Sequence, residues 1–336
     1  MRKRHIRNIV VSLAVGIVCI FVWLRLIDIP EFLRYIREVN IIYIFPSILF
    51  YLCSYFFRSQ RLRLLLSHKA DIPTIKNYAY YLAANFMNYV AAPIRVAEVV
   101  KSLFYKRNHN IRLSESLPPI FLDKVFDTFA IFVVLLMLPF MWWQSGRQPL
   151  QFSSELYILM ILLIFVFLVG ILILFAAAKS PARLVTILQK IFFFFPKKYK
   201  SKINDSIFLL VDGMDIFRHH KSRFFPCLTY TFMATLTDSI FFFLMFTAFG
   251  VPISYIKILF GYTLIFLSYM LPHPPAQIGS NQLIMILIFA GGFGFNETHI
   301  SAVMTFSHIV TAIVIFITGF ISLAFAGFKF RNILEK

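Results

Sequence analysis

Long apolar runs alternate along this chain with short connections, and that alternation predicts its helices. An apolar run of about 18 residues or more reads as a transmembrane helix. The pattern predicts spans at about 8–27, 41–57, 118–143, 156–178, 225–249, 256–272 and 300–327, with a further apolar run over 276–295. Two stretches depart from it. Residues 77–92 are apolar and aromatic, yet both flanks are basic, which predicts a re-entrant hairpin or an interfacial segment instead of a crossing. The run over 276–295 follows Pro272, Pro274 and Pro275, which predicts a broken or re-entrant segment. Such backbone is tolerated at membrane depth only where it is buried in protein or lines a cavity. Residues of about 183–200 read as an amphipathic helix lying on the membrane. The expected fold class is all-α: a polytopic transmembrane helical bundle of about eight spans with one or two re-entrant or Pro-broken segments. It forms one transmembrane domain over 1–336, and no soluble catalytic domain is expected.

Composition agrees with this class. The chain is 60% hydrophobic, holds 42 Phe and has only 14% charged residues, against about 25% in soluble domains. A net charge of +18 first suggests nucleic acid, but the Lys and Arg lie in connections between apolar runs, so no nucleic-acid partner is expected. Residues 58–117 hold ten Lys/Arg against three acids, and residues 179–224 hold ten against three. With the basic N-terminus and tail, these connections fall on one side of the membrane, and the opposite side is slightly acidic. The positive-inside rule then predicts a multi-pass protein of the cell (cytoplasmic or inner) membrane with both termini cytoplasmic. Arg58, Arg61 and Arg63 read as a basic cluster at the interface end of the second helix. The three cysteines lie in apolar runs without a CxxC pair, which supports no disulfide framework.

The candidate chemistry is polar residues set among apolar ones. Asp123 and Asp127 are four apart, so a helix puts them on one face, with Lys124 between them. A charge near the bilayer centre costs about 2.5–3.5 kcal/mol on insertion scales, so such groups usually have a partner and a purpose. Arg95, Glu98 and Lys101 recur every three residues after Pro93 and share a face, where arginine can grip a phosphate bidentately and lysine adds a point charge. The bland alternative is a solvated face with one ion pair. Asn85 and Asn88 in the first irregular stretch, and Gln277, Asn281 and Gln282 in the second, form two polar breaks of the kind from which transporters build sites. Asp238 lies near mid-helix with no sequence-local partner; Lys124 and Arg95 are the candidates to pair with it. His219, His220, His273 and His308 lack metal-ligand spacing. With no HExxH, Walker loop or GxSxG present, no metal, cofactor or catalytic residue is assigned.

Four stretches in order resemble a known family, the flippase-like integral membrane proteins that share the transmembrane region of lysylphosphatidylglycerol synthases. RSQRLRLLL resembles the family's arginine-rich end of the second helix. NYVAAPIRVAEVVK resembles an asparagine-containing segment leading to P-x-R-x-G-E-x-x-R, with Ala97 for Gly and Lys101 for Arg. LDKVFD resembles an acidic-basic pair with Asp three residues on. PPAQIGSNQ resembles P-G-G-x-G-x-x-E, with Ala276 and Gln277 for the first two glycines and Gln282 for Glu, while a later family arginine has become Ser307 or His308. The resemblance covers nearly the whole chain and marks a divergent member. It implies movement of a polar-headed lipid between leaflets, the partner being a membrane lipid such as an anionic phospholipid or a polyprenyl-phosphate-linked sugar. The alternatives are a membrane enzyme with Asp123 and Asp127 as base or metal site, or an accessory protein working beside a glycosyltransferase on lipid-linked sugars.

Overall fold

The computed structural model describes residues 17–90, 96–136, 220–268 and 274–326, with short pieces at 165, 208–209, 212–213 and 216–217. Every regular element among the described residues is helical. The chain runs through α1 (Ile17–Leu26), α2 (Ile29–Arg37), α3 (Ile44–Leu66), α4 (Thr74–Val90), α5 (Ala97–His109) and α6 (Leu113–Leu136). It continues through α7 (Phe224–Ala248), α8 (Tyr255–Ser268), the short α9 (Ser280–Met285) and α10 (Glu297–Phe325). Among the described residues three stretches are long and apolar enough to cross a membrane: Ile41–Leu66, Phe224–Ala248 and Glu297–Phe325. The 24 residues of α6 give it a similar length, about 36 Å at 1.5 Å per residue. Glu115, Asp123, Lys124 and Asp127 make it the most charged of these long helices.

Local chemistry sets the ends of these elements. Asp28 accepts a bond from the Glu31 N–H at 2.9 Å and caps α2, and Asn296 caps α10 by accepting from the His299 N–H at 2.8 Å. Asn110 closes α5 in the left-handed conformation at φ 57°, which asparagine tolerates better than most residues. Pro118 and Pro119 sit in the second turn of α6, where each removes a ladder N–H.

Two packings organise the bundle. α3 lies along α7, and α4 lies along α10. The second approach is close because of Gly319: a Cβ there would stand 2.3 Å from the Phe86 Cβ. Phe241, Met245, Phe246, Phe260 and Phe289 fill the core between α7, α8 and the segment after α9. At one end of the bundle the Asn40 N–H donates to the Ala248 carbonyl at 2.8 Å. The Asp28 N–H bonds Thr298 at 3.1 Å there, and Tyr35 stacks on His299 at 3.9 Å. At the other end Lys69 pairs with Glu115 at 3.6 Å, and Arg63 with Asp71 at 3.5 Å.

Several expected boundaries move. The second helix does not stop near residue 57 but runs to Leu66, because the apolar face resumes after the arginines. Residues 77–90 belong to one uninterrupted helix, α4, which packs against α5, so the apolar run does not fold back within itself. α5 starts at Ala97, four residues past Pro93. The Pro-broken reading of the late segment fits: a short turn over Pro275–Gln277 precedes α9, which passes into a π-helical stretch, Ile286–Gly291. The expected fourth span apart from Phe165, residues 8–16 of the first, the amphipathic segment of about 183–200 and Arg95 lie outside the described residues.

Candidate functional site

Six ionisable side chains meet in the interior: Arg58 and Arg61 from α3, Lys101 from α5, Asp123 and Asp127 from α6, and Asp238 from α7, all buried. Arg58 and Arg61 are three apart, so one helical face carries both. Asp123 and Asp127 face them from α6. Asp123 is ten residues past Leu113, which puts it about 15 Å along the helix, deeper than the sequence boundary implied.

The guanidinium of Arg61 is engaged on three sides. Its Nε donates to Asp123 Oδ1 at 2.7 Å, one terminal nitrogen to Asp127 Oδ1 at 2.8 Å, and the other to Thr231 Oγ1 at 3.0 Å. Arg58 donates to Asp238 Oδ2 at 2.6 Å, to Asp127 Oδ1 at 3.4 Å and to Ser54 Oγ at 3.1 Å. Tyr262 donates to the same Asp238 oxygen at 2.6 Å, and Tyr81 donates to Asp123 Oδ2 at 3.0 Å. Lys101 stands 3.9 Å from Asp123 Oδ2 and 3.4 Å above the Tyr81 ring. Among the described residues three cations face three carboxylates here, and their charges balance when Lys101 is protonated. Asp127 Oδ2 is buried with no hydrogen-bond partner among the described residues.

Lys101 lies on a thirteen-residue helix too short and polar to cross the membrane. Burial pushes its ammonium down to about 7; Lys124 pushes the same way, and Asp123 opposes. It therefore holds its proton less tightly than an ordinary lysine does.

The expected residues divide. Asp123, Asp127, Lys101 and Asp238 come together. Asp238 pairs with Arg58, not with Lys124, because α7 packs along α3. Lys124 points away from the network and pairs at 3.9 Å with Glu98, both partly exposed. Arg58 and Arg61 are not an interfacial cluster, since α3 continues past them; of the three arginines only Arg63 reaches the surface pair with Asp71. Arg95 lies outside the described residues. Reading the sequence missed Arg58, Arg61, Tyr81 and Tyr262. The Arg-x-x-Arg spacing followed by Leu62 and three more leucines by 66 was the available signal.

The two polar breaks are joined through α4. Tyr81, Asn85 and Tyr89 are four apart, which sets them within about 80° of one another on the helix. Tyr81 reaches Asp123, Asn85 hydrogen-bonds Tyr55 beside Arg58, and Tyr89 meets the His308 ring at 3.1 Å. His308 also bonds the Ala276 carbonyl, and Asn281 Nδ2 donates to Gln277 Oε1 at 2.9 Å. Asn88 is half-buried on the same helix. Gln282 accepts from the Gly279 N–H at 3.0 Å, a cap that a glutamate could make equally well. Ala276, Gln277 and Gly279 have φ of 50°, 59° and 80°. These are the three positions where PPAQIGSNQ aligns with glycines, so the glycine pattern is a backbone requirement, met here at two positions by strained residues.

Among the described residues no group of three or more His, Cys, Asp or Glu is placed to hold a metal ion. Compared with known proteins, the chain matches the family model described as lysylphosphatidylglycerol synthase TM region over residues 9–319. No curated protein and no solved structure matches it.

Proposed function

The chain belongs to the lysylphosphatidylglycerol synthase transmembrane-region family, a membrane-protein family related to lipid-modifying and flippase-like proteins, and from that premise we propose that it moves a polar-headed lipid between leaflets. The observation that carries this reading is the balanced network of Arg58, Arg61, Lys101, Asp123, Asp127 and Asp238 inside the bundle. Buried ion pairs add little net stability compared with apolar packing of the same volume, and ionisable groups within membrane segments mark substrate or ion pathways.

A mechanism follows from the geometry. A phosphate-bearing headgroup offers Arg58 and Arg61 anionic acceptor oxygens, as the carboxylates of Asp123 and Asp127 do. The headgroup takes over these donors, the carboxylates are released, and α6 and α7 lose their ties to α3. When the headgroup leaves, the carboxylates re-form their pairs and close the bundle. The arginines thus keep an anionic partner throughout, while Asp123 retains Tyr81 and Lys101 and Asp238 retains Tyr262.

The test separates function from folding. Removing one partner of a buried pair costs about 3–5 kcal/mol, whereas replacing the whole pair with apolar residues is often neutral or stabilising. Arg58→Met, Asp238→Leu and Tyr262→Phe are therefore combined, and Asp127 keeps its bond to Arg61. The protein is reconstituted in liposomes with labelled anionic phospholipids and polyprenyl-phosphate sugars, and leaflet exposure is followed. The expected result is movement of one lipid class by the native protein, lost in a triple variant of native thermal stability. Native-rate movement by the triple variant, or no movement of any class by the native protein, overturns the proposal.

A further inference from the structure

The junction between α4, α10 and the broken segment before α9 holds a second polar group that the ion network does not use. It comprises Tyr89, His308, Gln277 and Asn281, and Thr305 lies on the face of α10 that carries His308. Two of its atoms are buried and unbonded: Asn281 Oδ1 and Thr305 Oγ1. Asn281 is only 2% exposed, and Thr305 stands on α10 three residues before His308. A buried polar atom without a partner is costly and calls for an explanation, such as a ligand or a bound water. The backbone that brings Gln277 here runs through left-handed Ala276 and Gln277, a conformation kept at a cost of about 1–3 kcal/mol per residue and concentrated at ligand clamps.

The chemistry of this group differs from that of the ion network. None of its members is a carboxylate, lysine or arginine. Amides, a hydroxyl, a phenol and an imidazole each supply neutral donors or acceptors. A phosphate selects for arginine or lysine, and neither is among the described residues of this group. A sugar presents hydroxyls that both donate and accept, which is what such a group can satisfy. The site lies on the same α4 face as the ion network, two turns along from Tyr81. One lipid can thus place a phosphate at the arginines and a hydroxyl-rich end at the junction.

We propose that Asn281, Thr305, Gln277, His308 and Tyr89 form a subsite for an uncharged, hydroxyl-bearing headgroup, that is, a glycosyl group on the transported lipid. This rests on the lipid-transport reading and names its substrate class. The test uses binding and not transport, so the two can fail separately. Trp23 donates to Ser301 on α10, one turn before Thr305, and the chain has three Trp. Trp142→Phe and Trp143→Phe leave Trp23 as the single reporter. This protein, in a detergent without a sugar head, is titrated with a short-chain monohexosyl diacylglycerol, and with phosphatidylglycerol and phosphatidylcholine of the same chains. The expected result is a saturable Trp23 emission shift with the hexosyl lipid, at least about tenfold tighter than with the other two. Thr305→Val keeps the shape and removes the unbonded hydroxyl, so its thermal stability holds or rises while hexosyl affinity falls by about tenfold. Asn281→Leu serves as the second variant with the same expectation. Equal affinity for all three lipids, no shift with any of them because water alone fills the site, or unchanged hexosyl affinity in both variants overturns the proposal. Failure of lipid movement in liposomes with this binding intact overturns the transport reading only.

Discussion

Lys101 is the residue whose state most directly controls the buried network. Arg58 and Arg61 hold their protons at any accessible pH, and the three carboxylates face them. Lys101, pushed down to about 7 by burial and by Lys124, carries its charge below that pH and loses it as the pH rises through it. Above about 7 the network then holds two cations against three carboxylates, and the surplus negative charge repels an anionic headgroup. Movement of an anionic lipid is predicted to fall between pH 6 and pH 8. In Lys101→Arg, which places at this position the residue the family motif carries, the fall is predicted to disappear, since arginine does not deprotonate in this range. A pH profile of leaflet exposure with both proteins decides this; a parallel decline in the two removes Lys101 from the pH dependence. The identity of Lys101 as a candidate was legible from its spacing to Glu98. Its partner was not, because Asp123 is 22 positions away on another helix and nothing local in the chain specifies which face of α6 meets α5.

Among the elements, the broken segment before α9 is the most informative. Prolines announce the break in sequence, and the chain does leave its helix there. The departures from the P-G-G-x-G-x-x-E pattern gain a physical meaning only with the backbone in view. Ala276 and Gln277 occupy left-handed positions, and Gln282 keeps the capping bond to the Gly279 N–H. Ala276→Gly relieves the Cβ clash of that conformation at the cost of some unfolded-chain entropy. It is predicted to raise stability by about 0.5–1 kcal/mol, read as a higher midpoint in a thermal unfolding scan of the detergent-solubilised protein. A lower midpoint would mean that the segment is not held left-handed in solution. α4 teaches the complementary lesson. Its basic flanks suggested a re-entrant or interfacial segment, but its apolar run is one helix, because α10 with Gly319 and α3 supply enough packing for a continuous turn-by-turn face.

At the scale of the whole molecule, the two ends of the bundle differ in charge. Glu31, Arg34, Arg37, Glu38 and Glu297 cluster at the end with α2, a nearly neutral to acidic set. Arg63, Lys69, Arg107 and Arg112 mark the opposite end, joined there by the Lys69–Glu115 pair. The bias predicts that the Lys69 end faces the cytoplasm. With the three native cysteines replaced, Glu297→Cys is expected to react with a membrane-impermeant maleimide in intact cells, and Lys69→Cys only after lysis. The reverse pattern would invert the bundle. Part of the charge count behind this orientation has to be revised, since Arg58, Arg61 and Lys101 are buried inside the protein and their charges are cancelled by Asp123, Asp127 and Asp238. The bias survives because the remaining basic residues at that end still outnumber the acids.

The sequence alone determined the solvent and the all-helical class: sustained apolar runs can only be buried in lipid or protein, and in lipid the backbone must satisfy itself as helix. It also determined family membership, through the order of four loose motifs. Which charges meet was decided by the tertiary structure. Arg58 and Asp238 are 180 positions apart, and their pairing depends on α3 lying along α7 with one rotation and not another. Helical periodicity fixes which residues share a face, but a uniformly apolar helix carries little information about where that face points. The buried ions themselves supply it, because an unpaired charge in that interior is far more costly than any choice of rotation that pairs it.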